Sequence, residues 1–230
     1  MKRILFGIFA HPDDEGFGPS GTLIQEVKSG TELHLICATE GEAGNNPDNL
    51  PNLGEVRRDE WQKSCDLIGA SSCLQLGYPD SGLSNQYYLE IADKIKAKIQ
   101  SVIDAQTEPV DLQFMTFDTT GLSGHLDHIA MSLITTFVYQ TCKQNLPENV
   151  EKTGLRYFCI PYSSAPEPNT HWLYMPAGRP DDQIDETHDV SEVFEQKLKV
   201  MDSHHTQRND AKMIKQMRGD GLKTEYFYYA

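Results

Sequence analysis

Cysteine pairs with metal-binding or redox spacing are missing from this sequence. Its five cysteines, Cys37, Cys65, Cys73, Cys142 and Cys159, are odd in number, and no two form a CxxC. That excludes a four-cysteine structural zinc site. It predicts buried thiols in a reducing, cytoplasmic setting rather than a disulfide framework. Basic residues are scarce: 20 Lys and Arg stand against 34 Asp and Glu, a formal net charge of −14. Such a chain repels polyanions, so no nucleic acid and no anionic membrane surface is expected as a partner. Long apolar runs are lacking. The run Ile4–Ala10 follows Lys2 and Arg3 but stops at His11, with a polar HPDDE and no small-residue cleavage site beyond it. It is too short to span a membrane and reads poorly as a signal peptide. No repeat, low-complexity tract or long linker divides the 230 residues. A single domain over 1–230 is expected, with a proline-rich insertion at about 163–186.

What is present is a rhythm of strands and helices. Apolar runs at Ile4–Ala10, Glu32–Thr39, Ser72–Leu76, Val110–Phe117 and Leu155–Pro161 predict strands. Helical spacing predicts helices over Ser20–Ser29, Glu55–Ile68, Tyr88–Ala105, Asp127–Cys142 and Asp189–Asp202. The segments Glu40–Gly54 and Gly121–Gly124 predict loops, and His171–Met175 a short strand inside the insertion. The Tyr226–Tyr229 run predicts an edge strand or a cover. The alternation means an α/β, Rossmann-like fold with a mostly parallel sheet and helices on both faces. Ligands of such sheets bind beyond the carboxyl ends of the strands. The polar clusters fall there: HPDDE, TEGEAG, GYPDSG and FDTTGLSGHLDH.

Two adjacent carboxylates, Asp13 and Asp14, beside His11 at a strand end would repel one another unless a cation or special hydrogen bonds hold them. His11 and Asp14 can ligate one divalent ion while Asp13 points elsewhere. A second set, His125, Asp127 and His128, follows the fourth strand. Convergence of the two loops supplies His–Asp–His, three N/O ligands with an open position, as in a catalytic zinc site. A leftover carboxylate can serve as general base and a leftover histidine can steady an oxyanion.

AHPDDE at Ala10–Glu15 with GHLDH at Gly124–His128 resembles the LmbE/PIG-L family of zinc-dependent sugar N-deacetylases. TEGEAG at Thr39–Gly44, Arg57 with Glu60, GYPDSGL at Gly77–Leu83 and DVSEVFEQK with HHTQ at Asp189–Gln207 extend the likeness to about residues 3–208. Leu126 stands where the family's motif has proline, a position that is not a ligand. The resemblance implies an LmbE-like fold and removal of acetyl from an N-acetylated amino sugar or glycoconjugate such as an N-acetylglucosamine derivative. It implies His11, Asp14 and His128 as ligands of Zn2+, with Fe2+ or another divalent ion as substitutes. It implies Asp13 as the base that takes a proton from the attacking water, His125 as the oxyanion stabiliser, and Asp127 as the group that orients and charges His125. Arg57, Asp80 and His204 are expected to bind substrate.

Competing readings are a metallophosphoesterase and a non-catalytic carbohydrate-binding relative. The first needs two clamped metals, and the spare histidines for it are His34 and His188. The second has no use for Asp13 and His125. A second copy of the chain is a further candidate partner. The insertion matches no motif, and Trp172 or Arg179 is expected near bound ligand.

Overall fold

The computed structural model describes residues 1–165 and 177–230. In chain order it contains β1 (Lys2–Phe9), α1 (Asp14–Phe17), α2 (Ser20–Lys28), β2 (Glu32–Thr39), α3 (Leu53–Ile68), β3 (Ser72–Tyr78), α4 (Tyr88–Asp104), β4 (Val110–Phe117), α5 (Gly121–Gly124), α6 (Leu126–Gln144), β5 (Val150–Cys159), β6 (Glu186–Asp189), α7 (Phe194–Ser203), α8 (Arg208–Arg218) and β7 (Thr224–Tyr229). The seven strands form one sheet in the order β3-β2-β1-β4-β5-β7-β6. β1 to β5 run parallel, and β7 runs antiparallel to both its neighbours.

Near-continuous apolar runs make β1 and β4 central strands buried on both faces. The helices cover the sheet with apolar stripes. On α4, Ile91, Ile95, Ile99 and Val102 recur one turn apart and are all buried. The strand order reverses between β1 and β4. This switch point opens a crevice at the carboxyl ends of these two strands, the ends that carry HPDDE and GHLDH. Both motifs therefore flank one crevice.

The C-terminal part differs from the sequence expectation. Glu186–Asp189 is an edge strand, a short 3-10 turn follows at Ser191–Val193, and the helix starts only at Phe194. Strand β7 is internal, paired Phe158↔Phe227 on one side and His188↔Glu225 on the other. The predicted loop at Gly121–Gly124 holds one distorted helical turn, with Leu122 at φ 63°. The predicted strand His171–Met175, with His171 and Trp172, lies outside the described residues.

Behind the crevice, β7 supplies a buried anchor. Glu225 accepts hydrogen bonds from the backbone N–H groups of Gly21 (2.9 Å) and Thr22 (2.8 Å), in the first turn of α2, and from Lys197 Nζ (2.6 Å). A Cβ on Gly21 would sit 2.6 Å from Val190 Cβ and 2.8 Å from the Glu225 carboxylate, so only glycine allows this approach. Among the described residues, no helix is long and apolar enough to cross a membrane.

Candidate metal centre and active site

The loop after β1 turns sharply. Asp13 has φ 117°, a strained conformation for a residue with a side chain, costing about 1–3 kcal/mol. The turn places the next carboxylate, Asp14, under its own strand end. Asp14 Oδ2 accepts from the N–H groups of Ala10 (3.1 Å) and His11 (2.7 Å). Oδ1 is left facing His128 Nε2 at 3.2 Å.

The histidine tautomers follow from their partners. His128 Nδ1 donates to the Gly121 carbonyl (3.0 Å), so its Nε2 presents a bare lone pair. His11 Nε2 lies 3.1 Å from Asp80 Oδ1 and 3.3 Å from Asp127 Oδ2, which places a proton on Nε2 and turns Nδ1 toward His128 and Asp14. His11 Nδ1 and His128 Nε2 face each other at 3.1 Å, with the Asp14 carboxylate 3.2–3.5 Å from them. Three lone pairs in such a cluster repel unless a positive charge lies among them. A divalent cation supplies that charge, and two imidazoles with one carboxylate are a fitting donor set. A proton on the His11 ring supplies positive charge there too. Burial works to lower His11, but Asp127, Asp14 and Asp80 outweigh it and hold the imidazole well above its usual range. Burial works to raise Asp14, but His128 and His11 hold it well below.

Two further donor groupings surround His11: His125 with His128, and Asp80 with Asp127. The second is already engaged. Asp127 accepts from Ser81 N–H (2.8 Å) and Leu83 N–H (3.0 Å), and Asp80 accepts from Ala43 N–H (2.9 Å). These carboxylates orient His11. The sequence expectation gave Asp127 to His125, but the Asp127 carboxylate forms no hydrogen bond to that ring. Only its backbone N–H reaches His125, donating to Nδ1 at 3.2 Å. His125 therefore carries its proton on Nε2. Its pKa is lowered by burial and by the neighbouring His128 and His11, contrary to the raised value expected from the Asp127 charge.

Asp13 sits beside this cluster. Burial pushes its carboxyl up to about 6, against the pull of Arg57. Arg57 is buried and donates to Asp13 Oδ2 (2.8 Å), the Pro12 carbonyl (2.5 Å) and the Gly41 carbonyl (2.7 Å). The glycines of TEGEAG make room for it: a Cβ on Gly41 would stand 2.5 Å from the guanidinium carbon.

Together these residues line a cleft of about 400 Å³, which holds His11, Asp13, Asp14, His125 and His128. Arg57 and Asp80 line it as well, but their charged ends are engaged by the loops around them. His204, expected to bind substrate, does not line it. It is buried behind the motif loop, with Nε2 2.9 Å from Glu15 Oε1. Arg179 also lies off the cleft, its guanidinium stacked 3.3 Å over the Tyr228 ring. The sequence reading missed Asn45, Gln207, Asp210 and Met213 in the cleft wall. Gln207 belongs to the HHTQ motif and was the one available signal. Leu126 opens α6 and is 73% exposed, which explains why a residue other than proline is accommodated there.

Residues 6–139, more than half the chain, match the family model described as PIG-L: GlcNAc-PI de-N-acetylase. The chain is 27% identical over 233 residues to a 1D-myo-inositol 2-acetamido-2-deoxy-alpha-D-glucopyranoside deacetylase of Mycobacterium sp. (strain JLS), covering 90% of this chain and 74% of that one. The N,N'-diacetylchitobiose deacetylase of Pyrococcus horikoshii superposes with a TM-score of 0.67 at 19% identity, covering 100% of this chain and 84% of the other. A 4-carboxy-2-hydroxymuconate hydratase from Pseudomonas putida KT2440 superposes with 0.68 at 16% identity, covering 100% and 96%. At those identities the structural likeness carries the fold alone, and the fold hosts more than one reaction.

Proposed function

The chain belongs to the PIG-L family, and on that premise we propose that it is a metal-dependent hydrolase that removes acetyl from an N-acetylated amino sugar or glycoconjugate. The observation that carries the proposal is the convergence of His11 Nδ1, His128 Nε2 and the Asp14 carboxylate within 3.1–3.5 Å of one another, beside the Asp13 carboxyl. His11, Asp14 and His128 would hold the cation. Zn2+ fits this mixed N/O set, and so does Fe2+. When bound, a divalent cation there would lower the pKa of water to about 7 and polarise an amide carbonyl.

The chain's own groups do the rest. Asp13 takes a proton from the attacking water as oxygen bonds to the amide carbon. It returns that proton to the nitrogen as the C–N bond breaks, so acetate and a free amine leave. A carboxylate held beside the water can make both transfers. His125, neutral with its proton on Nε2, donates to the carbonyl oxygen as negative charge develops there. Arg57 keeps Asp13 in its strained turn. Asp80 and Asp127 keep the proton of His11 on Nε2 and so keep Nδ1 free.

The metallophosphoesterase reading needs a second metal, but the other carboxylate grouping, Asp80 with Asp127, shares His11 with the first site and is engaged by the N–H groups of Ala43, Ser81 and Leu83. His34 is bonded to Ser72 and Glu32, and His188 to Glu186; neither lines the cleft. The test is acetate and amine release from N-acetylglucosamine and its inositol glycoside by the zinc-loaded protein. Bound zinc with no acetate from any N-acetyl amino sugar would overturn the proposal.

A further inference from the structure

Beside the polar cleft lies a second cavity of about 310 Å³, the scale of a small-molecule pocket. The two share four wall residues, Asp14, Phe17, Ser123 and His128, so they meet at the cluster of lone pairs. Their chemistry differs. Asp13, His125, Asn45 and Asp210 line only the cleft. Phe117, Leu122, Phe158, Ile160, Ile214 and Met217 line only the second cavity. Phe117 makes the junction, its ring stacked on His128 at 4.3 Å and 12°. Leu122 is held there at φ 63°, a costly conformation for a leucine, and its strained turn also carries the Gly121 carbonyl that fixes His128. Among the described residues Arg218 is the one other charged wall residue, and its Nη2 donates to the Gly221 carbonyl.

An amide has two arms at its carbonyl carbon. One carries the amine and its sugar, rich in hydroxyls. The other is the acyl chain, which is purely apolar. With the carbonyl at the shared wall, a polar cavity and an apolar cavity diverge from it as the two arms do. From this we infer that the apolar cavity is an acyl-chain subsite, and that the enzyme cleaves N-acyl amino sugars with chains longer than acetyl. The inference rests on the amide-hydrolase reading above and deepens it. Acetyl leaves most of the cavity unfilled, and each further buried methylene favours binding by up to about fourfold.

The test compares kcat/KM of the zinc-loaded protein on N-acetyl-, N-butyryl- and N-hexanoylglucosamine. The expected hexanoyl-to-acetyl ratio is at least about tenfold. The variants Ile214→Trp and Ile160→Trp, which fill the cavity from α8 and from the end of β5, should each cut that ratio by about tenfold or more. A ratio of one or less in the parent, or a ratio that neither variant changes, overturns the inference. So does an equal gain on the hexyl glycoside of N-acetylglucosamine lost in the same variants, which would place the aglycone in the cavity. Calorimetry of hexanoate against acetate reads the cavity without turnover. A preference for hexanoate of about tenfold that Ile214→Trp abolishes supports the subsite, and equal affinities overturn it. A retained hexanoate preference with no turnover of any N-acyl glucosamine would overturn the hydrolase reading and leave the subsite standing.

Discussion

Arg57 and Asp13 form a buried ion pair, Nη2 to Oδ2 at 2.8 Å, in which the same guanidinium nitrogen also binds the Pro12 carbonyl. The arginine thus grips both the carboxylate and the peptide that precedes it. It holds a backbone turn that L-residues rarely adopt, and it is the main charge pulling Asp13 down against burial.

Replacing Arg57 by Gln should therefore act on Asp13. The acid limb of kcat/KM should move to higher pH, because the carboxyl loses the charge that lowers it. In the parent the limb should lie at or below about pH 6, since a bound cation pulls Asp13 further down. Activity at the optimum should fall about 10–100-fold from misplacement. A limb that does not move in a folded, metal-loaded R57Q protein would remove this role.

Asp13→Asn should keep the metal and lose about 10²–10⁴ in kcat, the range for a general base. Metal content by elemental analysis and rate by amine release check the two halves separately. A variant as fast as the parent would mean that another group takes the proton.

Asp127→Asn should weaken zinc binding by about 10–100-fold, because the carboxylate serves His11 Nε2–H. Competition with a chromophoric chelator measures this. Unchanged zinc affinity would return Asp127 to the role the sequence motif suggested, beside His125.

Much of the site was legible because its parts lie in short motifs at strand ends. HPDDE and GHLDH could be placed from the apolar runs before them. The partner of Asp127 was not legible. It depends on the loop after β3, where Ser81 at φ 60° aims its N–H at Asp127 and where Asp80 folds back to His11. The cleft wall from α8 was also hidden, since Asp210 and Met213 follow the recognisable motifs and meet the site only in three dimensions. In the fold, β1 to β5 followed from their apolar runs. The four-residue β6 carries no such run, and its pairing comes from β7, far along the chain.

At the other end of the sheet, Glu26 binds Arg3, Thr31 and Arg156. Burial works to raise its pKa, but Arg156, Thr31 and Arg3 outweigh it and hold the carboxyl below its usual value. A carboxyl lowered in the folded state contributes stability that is complete above its unfolded value of about 4.3 and is lost as pH falls through the folded value. Glu26→Gln should cost about 1–3 kcal/mol at pH 7. That difference should shrink below about pH 4. Urea unfolding at pH 7 and pH 3 measures it, and a pH-independent difference would rule out the charge as its source.

The placement of β7 between β5 and β6 governs the order in which the sheet is completed as the chain is made. Among the described residues β6 pairs with no other strand, so its hydrogen-bonding groups wait for a segment that begins roughly 35 residues later. At about 5–20 residues per second that wait is roughly 2–7 s. Over that interval β5 presents an open edge, and the ammonium of Lys197 lacks the Glu225 carboxylate that neutralises it. Until β7 is made the sheet can hold at most its five parallel strands, and the loops after β1 and β4 precede β7 in the chain. An uncovered strand edge can template pairing with another chain, and pairing with β7 removes that edge from β5.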